Sequence, residues 1–175
     1  MLRGSWKPLL LALALTACTR TPEPLPAPFA MTDEAVGHYC GMNLGEHAGP
    51  KGQIIRASTP IPVWFSSVRD TIAFTFLDEE PKDIRAIYVS DMGQAPNWDD
   101  PGADNWIEAR QAWFVLGSQR SGGMGEDEAV PFADLEDAKA FLREHGGHIL
   151  RFAEIPRDYV LGGADNASTP AEGAS

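Results

Sequence analysis

The feature that most restricts how this chain can fold is an approximate internal repeat. Phe65-Ser-Ser-Val68-Arg-Asp70-Thr-Ile-Ala-Phe74 aligns with Phe132-Ala-Asp-Leu135-Glu-Asp137-Ala-Lys-Ala-Phe141, with Phe, Val/Leu, Asp and Phe matching at a constant offset of 67 residues. The apolar spacing in both copies is helical. A β-rich run follows each helix, Ile84–Val89 in the first copy and His148–Phe152 in the second. Two strand-like runs precede each: Gln53–Ala57 and Ile61–Phe65, then Trp106–Ala109 and Trp113–Leu116. The pattern predicts an α+β fold of two tandem ββαβ modules, over residues 29–95 and 96–161, with helices at Val68–Leu77 and Leu135–His145.

The flanks read differently. Residues 1–17 have a basic start at Arg3 and Lys7, followed by an apolar run from Leu9 that is too short to span a bilayer. The run ends Leu15-Thr16-Ala17-Cys18, which resembles a bacterial lipobox whose cysteine, Cys18, takes the lipid and becomes the new N-terminus. Thr19 rather than Asp follows it, which by analogy with sorting in enteric bacteria points to the outer membrane. Proline at every second position from Pro22 to Pro28 enforces polyproline II, so residues 18–28 read as a lipid-anchored, semi-rigid stalk. Residues 162–175 are small and polar with no apolar period, and read as a disordered tail.

Cysteine arithmetic then singles out one segment. The chain has two cysteines, and with Cys18 lipidated Cys40 has no intramolecular partner. A free thiol in an oxidising compartment is either buried and inert or kept for chemistry. Cys40 stands in His38-Tyr39-Cys40-Gly41-Met42, with His47 a few residues on. A thiolate and a thioether two residues apart are soft donors that select Cu(I) over hard cations. In an extended chain His38, Cys40 and Met42 would share one face, while Gly41 permits a sharp turn instead. Met124, with glycines on both sides in Gly122-Gly123-Met124-Gly125, does not fit a helix or strand core and is a further ligand or docking candidate. His38, His47 and Met92 extend the candidate set. His145 and His148 sit where the second helix ends and read as residues that favour its negative end. There is no Cys-x-x-Cys zinc pattern, phosphate loop or nucleophile motif.

Charge excludes one class of partner. Removing residues 1–17 takes two of the 14 basic residues and no acid, leaving 12 against 25 acidic ones, a formal charge of −13. Such a surface is unsuited to nucleic acid or anionic lipid headgroups.

Several longer stretches together resemble the NosL family, accessory lipoproteins of nitrous oxide reductase maturation. They are Cys40-Gly-Met42-Asn-Leu, Glu46-His-Ala-Gly-Pro-Lys-Gly-Gln53, Trp64-Phe-Ser-Ser-Val-Arg-Asp70, Ile87-Tyr-Val-Ser-Asp-Met-Gly93, Gly122-Gly-Met-Gly125 and Pro131-Phe. The resemblance runs from about Val36 to Leu161. It implies a periplasmic Cu(I) chaperone and not an enzyme. Such a protein serves the copper centres of nitrous oxide reductase and works with an ABC-type maturation complex. It carries Cys40, Met42 and Met124 over as first metal candidates, and it implies two ββαβ modules similar in topology to the organomercurial lyase fold. A metal-free lipoprotein adaptor that docks a maturation complex through Trp and Met loops is the alternative. A thiol enzyme using Cys40 as nucleophile lacks a resolving cysteine for redox cycling.

The lipobox reading has a direct test. The wild-type protein should fractionate with membranes, and Cys18→Ser should move it to the soluble fraction. Unlipidated protein that still pellets with membranes would rule out Cys18 as the anchor.

Overall fold

The computed structural model describes residues 24–162; the signal segment, Cys18, the first half of the stalk and the tail beyond Gly162 lie outside the described residues. In chain order the elements are β1 (Gly52–Arg56), β2 (Val63–Phe65), α1 (Val68–Phe76), β3 (Ile84–Ser90), β4 (Trp106–Glu108), β5 (Trp113–Ser121), β6 (Asp127–Phe132), α2 (Leu135–His145), β7 (His148–Arg151) and α3 (Arg157–Leu161). They form two antiparallel sheets, ordered β2-β1-β3-β4 and β6-β5-β7. In each sheet the first strand of a unit is central, flanked by the second strand and by the strand that follows the helix. The ββαβ arrangement therefore occurs twice, with α1 and α2 in equivalent places along the chain.

One strand expectation is overturned. Trp106–Ala109, read as the opening strand of the second module, is β4, and it extends the first sheet with Val89 opposite Ile107. The two strands before α2 are β5 and β6. β6 is hard to see in sequence because Pro131 interrupts it. Proline cannot donate to a ladder, and it is tolerated here because β6 is a sheet edge.

Alternation along the strands sorts the core into layers. Ile54, Ile87 and Val89 of the first sheet and Phe114 and Leu116 of the second face one shared core with Val68, Ile72 and Phe74 of α1. Val115 and Val130 point to the other side of the second sheet, where α2 covers them. The helices differ accordingly. α1 buries Val68, Thr71, Ile72, Ala73 and Phe74, whereas α2 fully buries only Ala138 and carries charges outward.

Glu128 on β6 ties the modules across this core. Its Oε1 accepts hydrogen bonds from Arg69 N (2.9 Å) and Ala129 N (2.8 Å), so a second-module carboxyl group meets the first turn of a first-module helix. Within the second module Tyr159 of α3 holds β5 to β6, donating to Glu128 O (2.9 Å) while accepting from Gly117 N (3.0 Å).

The later part of the stalk is not free-standing. Tyr88 Oη donates to Pro26 O (2.6 Å), Arg85 Nη2 to Pro24 O (3.5 Å), and Gln53 and Phe29 exchange two bonds of 2.8 and 2.9 Å. Polyproline II leaves its carbonyls without intrachain partners. Donors on the outer face of the first sheet take them, so the chain is already docked on the domain at Pro24, ahead of Phe29.

Glu128 makes a pH prediction. Burial raises its carboxyl from an ordinary 4.5 to about 8, against the opposing pull of the Arg69 and Ala129 amides. The folded state therefore keeps a proton that the unfolded chain sheds near 4.5, and the stabilisation present below that pH is lost as pH rises through about 8. Glu128→Gln should flatten the slope of stability against pH across this window. Urea midpoints measured at several pH values will check it, and an unchanged slope would exclude Glu128 as its source.

Candidate metal centre

The segment Val36–Asn43 folds as a tight loop rather than an extended strand. Val36 and Asn43 pair at its base, Gly37 N donates to Met42 O (2.9 Å), and Gly41 N donates back to Gly37 O (2.9 Å). Gly41, at φ 66°, reverses the chain in the left-handed region where glycine carries no steric penalty. His38, Cys40 and Met42 consequently do not share one face.

Each candidate can now be placed. Cys40 is a half-buried free thiol. Its Sγ lies 3.4 Å from Ser66 Oγ, 4.0 Å from His47 Nε2 and 3.9 Å from Met42 O. His47 is 6% exposed and meets the thiol through Nε2. His38 turns away: its ring packs on Phe65 and Phe74, and Nε2 sits 3.2 Å from Glu80 Oε1. Tyr39 Oη donates to the same carboxylate at 3.0 Å. Burial and this carboxylate both push the Tyr39 phenol above its ordinary range. Met42 and Met124 are solvent-facing, at 38% and 61% exposed. Met92 packs with Val115, Phe132 and Trp98 in the core beneath α2 rather than in the thiol loop. His145 ends α2 with its ring against Phe141 (4.5 Å), and His148 opens β7, as their spacing predicts.

The second module reaches the thiol loop through its β5–β6 hairpin. A Cβ placed on Gly123 would lie 2.7 Å from His47 Cβ and 2.9 Å from Ala48 O, so the hairpin tip rests on the His47–Ala48 backbone. That contact carries Met124, the next residue, to the same junction. Glu126 folds back over the tip and accepts from Met124 N (3.0 Å). Met124 and Glu126 line a groove with Asp70 and Arg69. Burial, then repulsion from Glu126, raises the Asp70 carboxyl.

Three contributors were not legible as such. Ser66 precedes the α1 cap and has no motif of its own. Gly37 makes room for the thiol, since a Cβ there would lie 2.5 Å from Cys40 Sγ. Lys51, lying within Gly-Pro-Lys-Gly, is only 1% exposed and donates to three carbonyls. Apart from its place in the Glu46–Gln53 stretch, its sequence signal is a cation set directly before β1, which is buried from Gly52 to Ile55.

Among the described residues no three His, Cys, Asp or Glu side chains converge as a metal-holding group. A thiol and an imidazole meet at one point, and the Met42 and Met124 thioethers are exposed on loops of the same region; donors of these types are the ones that suit soft metal ions. Comparison with known proteins narrows this class. The NosL family profile matches residues 28–160, and the chain belongs to the NosL family. It is 47% identical over 161 residues to the copper-binding lipoprotein NosL of Achromobacter cycloclastes, covering 91% of this chain and 83% of that one. The protein of the same name from Stutzerimonas stutzeri is 34% identical over 154 residues, covering 87% and 79%. The crystal structure of the copper chaperone NosL from Shewanella denitrificans superposes with a TM-score of 0.69 at 36% identity, over 76% of this chain and 97% of that one.

Gly37→Ala should crowd the thiol away from Ser66 and His47. We expect a loss of about 1–3 kcal/mol, as for other overpacked sites, and a changed rate of Cys40 alkylation. Unchanged stability and rate would mean that the Gly37–Cys40 contact constrains nothing.

Proposed function

We propose that this chain is a Cu(I) carrier of the bacterial periplasm, anchored by lipid on Cys18 to the outer membrane. In this reading it supplies copper to the centres of nitrous oxide reductase together with an ABC-type maturation complex. The observation that carries the reading is the Cys40 thiol, half-exposed and 4.0 Å from His47 Nε2, at a junction to which the Met124 hairpin is also packed. The names of its relatives, a copper-binding lipoprotein and a copper chaperone, support it.

The donor chemistry suits transfer. The Cys40 thiolate supplies the one anionic soft ligand and most of the affinity. His47, fixed by burial, adds a neutral nitrogen donor. Met42 and Met124 are neutral thioethers exposed to solvent, so an acceptor's ligands can replace them one at a time. Asp70, Glu80 and Glu126 surround the loops with negative charge, which raises the local concentration of cations. Met92 and His38 are engaged elsewhere in the metal-free fold, and we leave them outside the donor set.

Chelator competition under anaerobic conditions tests the assignment. Cys40→Ala should abolish tight Cu(I) binding. Met124→Ala, Met42→Ala and His47→Ala should each weaken it by at least about tenfold, roughly 1.4 kcal/mol. X-ray absorption of the loaded protein should show sulfur together with nitrogen scatterers. Unchanged affinity in Cys40→Ala sinks the carrier reading, and a wild type without tight Cu(I) binding would favour the metal-free adaptor.

A further inference from the structure

Among the described residues Lys51 is the largest fully buried side chain that carries a charge. Its ammonium donates to His47 O (2.6 Å), Ala48 O (3.2 Å) and Gly49 O (2.7 Å). An ammonium has three N–H donors and no acceptor, so every donor is used. The three acceptors belong to consecutive residues, whose carbonyls would ordinarily diverge. The backbone curls round the ammonium, and Gly49, at φ 85°, permits the curl.

That curl carries the parts of the candidate site. His47, its first residue, faces Cys40 Sγ, and Gly123 of the Met124 hairpin rests on His47 and Ala48. Gly49 N also donates to Trp98 O (2.8 Å), so the loop is tied on its far side to the connection between β3 and β4. Without the cation three buried carbonyl dipoles would converge with no donor between them, and the loop would open to hydrate them. A buried ammonium is costly to desolvate. Apolar filling would serve packing alone, whereas an ammonium sets where the carbonyls point.

We propose that Lys51 is a positioning residue that holds the His47–Gly49 loop in the form able to receive metal, and so joins the imidazole and thioether donors of the two modules. The proposal rests on the Cu(I) reading above for its metal consequence. The loop itself is measurable without metal.

Two measurements on two variants decide it. In Lys51→Met, Cu(I) affinity should fall by about 10–100-fold, as when other outer-shell groups are removed. X-ray absorption should show the nitrogen scatterer lost and the Cys40 sulfur retained, a change that general destabilisation would not produce. In the metal-free protein, hydrogen exchange of the amides of residues 44–49 should accelerate while α2 stays protected. Gly123→Ala is the second arm, lying on the exposed side of the loop and leaving Lys51 intact. Its added methyl group must push the hairpin from the loop, and it should weaken Cu(I) binding with loss of a sulfur scatterer. If Lys51→Met does not fold, Lys51→Gln takes its place: it removes the ammonium while keeping a polar side chain, and it should give the same faster loop exchange and the same loss of the nitrogen scatterer. Wild-type affinity and scatterers in the folded variants overturn the proposal. A wild type that binds no Cu(I), with loop exchange still accelerated in Lys51→Met, would sink the carrier reading and leave the positioning of the loop standing; unchanged exchange would sink both.

Discussion

The structure depends on burying α1 between two sheets. A helix with Val68, Ile72, Ala73 and Phe74 in contact with both β1–β3 and β5–β6 cannot be satisfied by one module. The core around α1 draws on both modules, so the first module has no complete apolar interior alone, while the second keeps a smaller core of its own beneath α2. Glu128 fixes the register of this arrangement because its carboxyl group must meet the Arg69 amide at one point. Junction loops then fall where the modules meet, and the thiol loop is one of them. Ser66, beside Cys40, immediately precedes the Ser67 cap of that same helix, so the packing that orders the core also orders the floor of the candidate site.

Much of the fold was legible because it rests on local pattern. α2 begins and ends where its spacing predicts, with Asp134 accepting from Glu136 N as its cap. β1, β3 and β7 fall within one or two residues of the expected runs. What failed was partnership. Trp106-Ile107-Glu108 is visibly a strand, but nothing local says which sheet it joins. Pro131 concealed β6 because the sequence does not show which strands are edges.

The candidate site divides the same way. Cys40, Met42 and Met124 stand out by composition, as a lone thiol, a soft pair and a glycine-flanked thioether. The roles of His38 and His47 were open in sequence, and three-dimensional packing separates them. His38 is drawn to Glu80 and two phenylalanines, while His47 is folded back against the thiol. Lys51 acts through backbone carbonyls, a role that leaves no side-chain motif to read.

The clasp of Pro24 and Pro26 on the outer face of the first sheet bears on how the protein would find other molecules. If Cys18 carries the lipid, only residues 18–23 stand between it and the first clasped proline, a reach of about 20 Å at full extension. The domain would then be confined to a thin layer over the bilayer, and its search would be close to two-dimensional. A recipient held in the same layer would meet it at a high effective concentration, set by tether length rather than by surface affinity. One in the opposite membrane would lie beyond its reach unless it extended most of the way across.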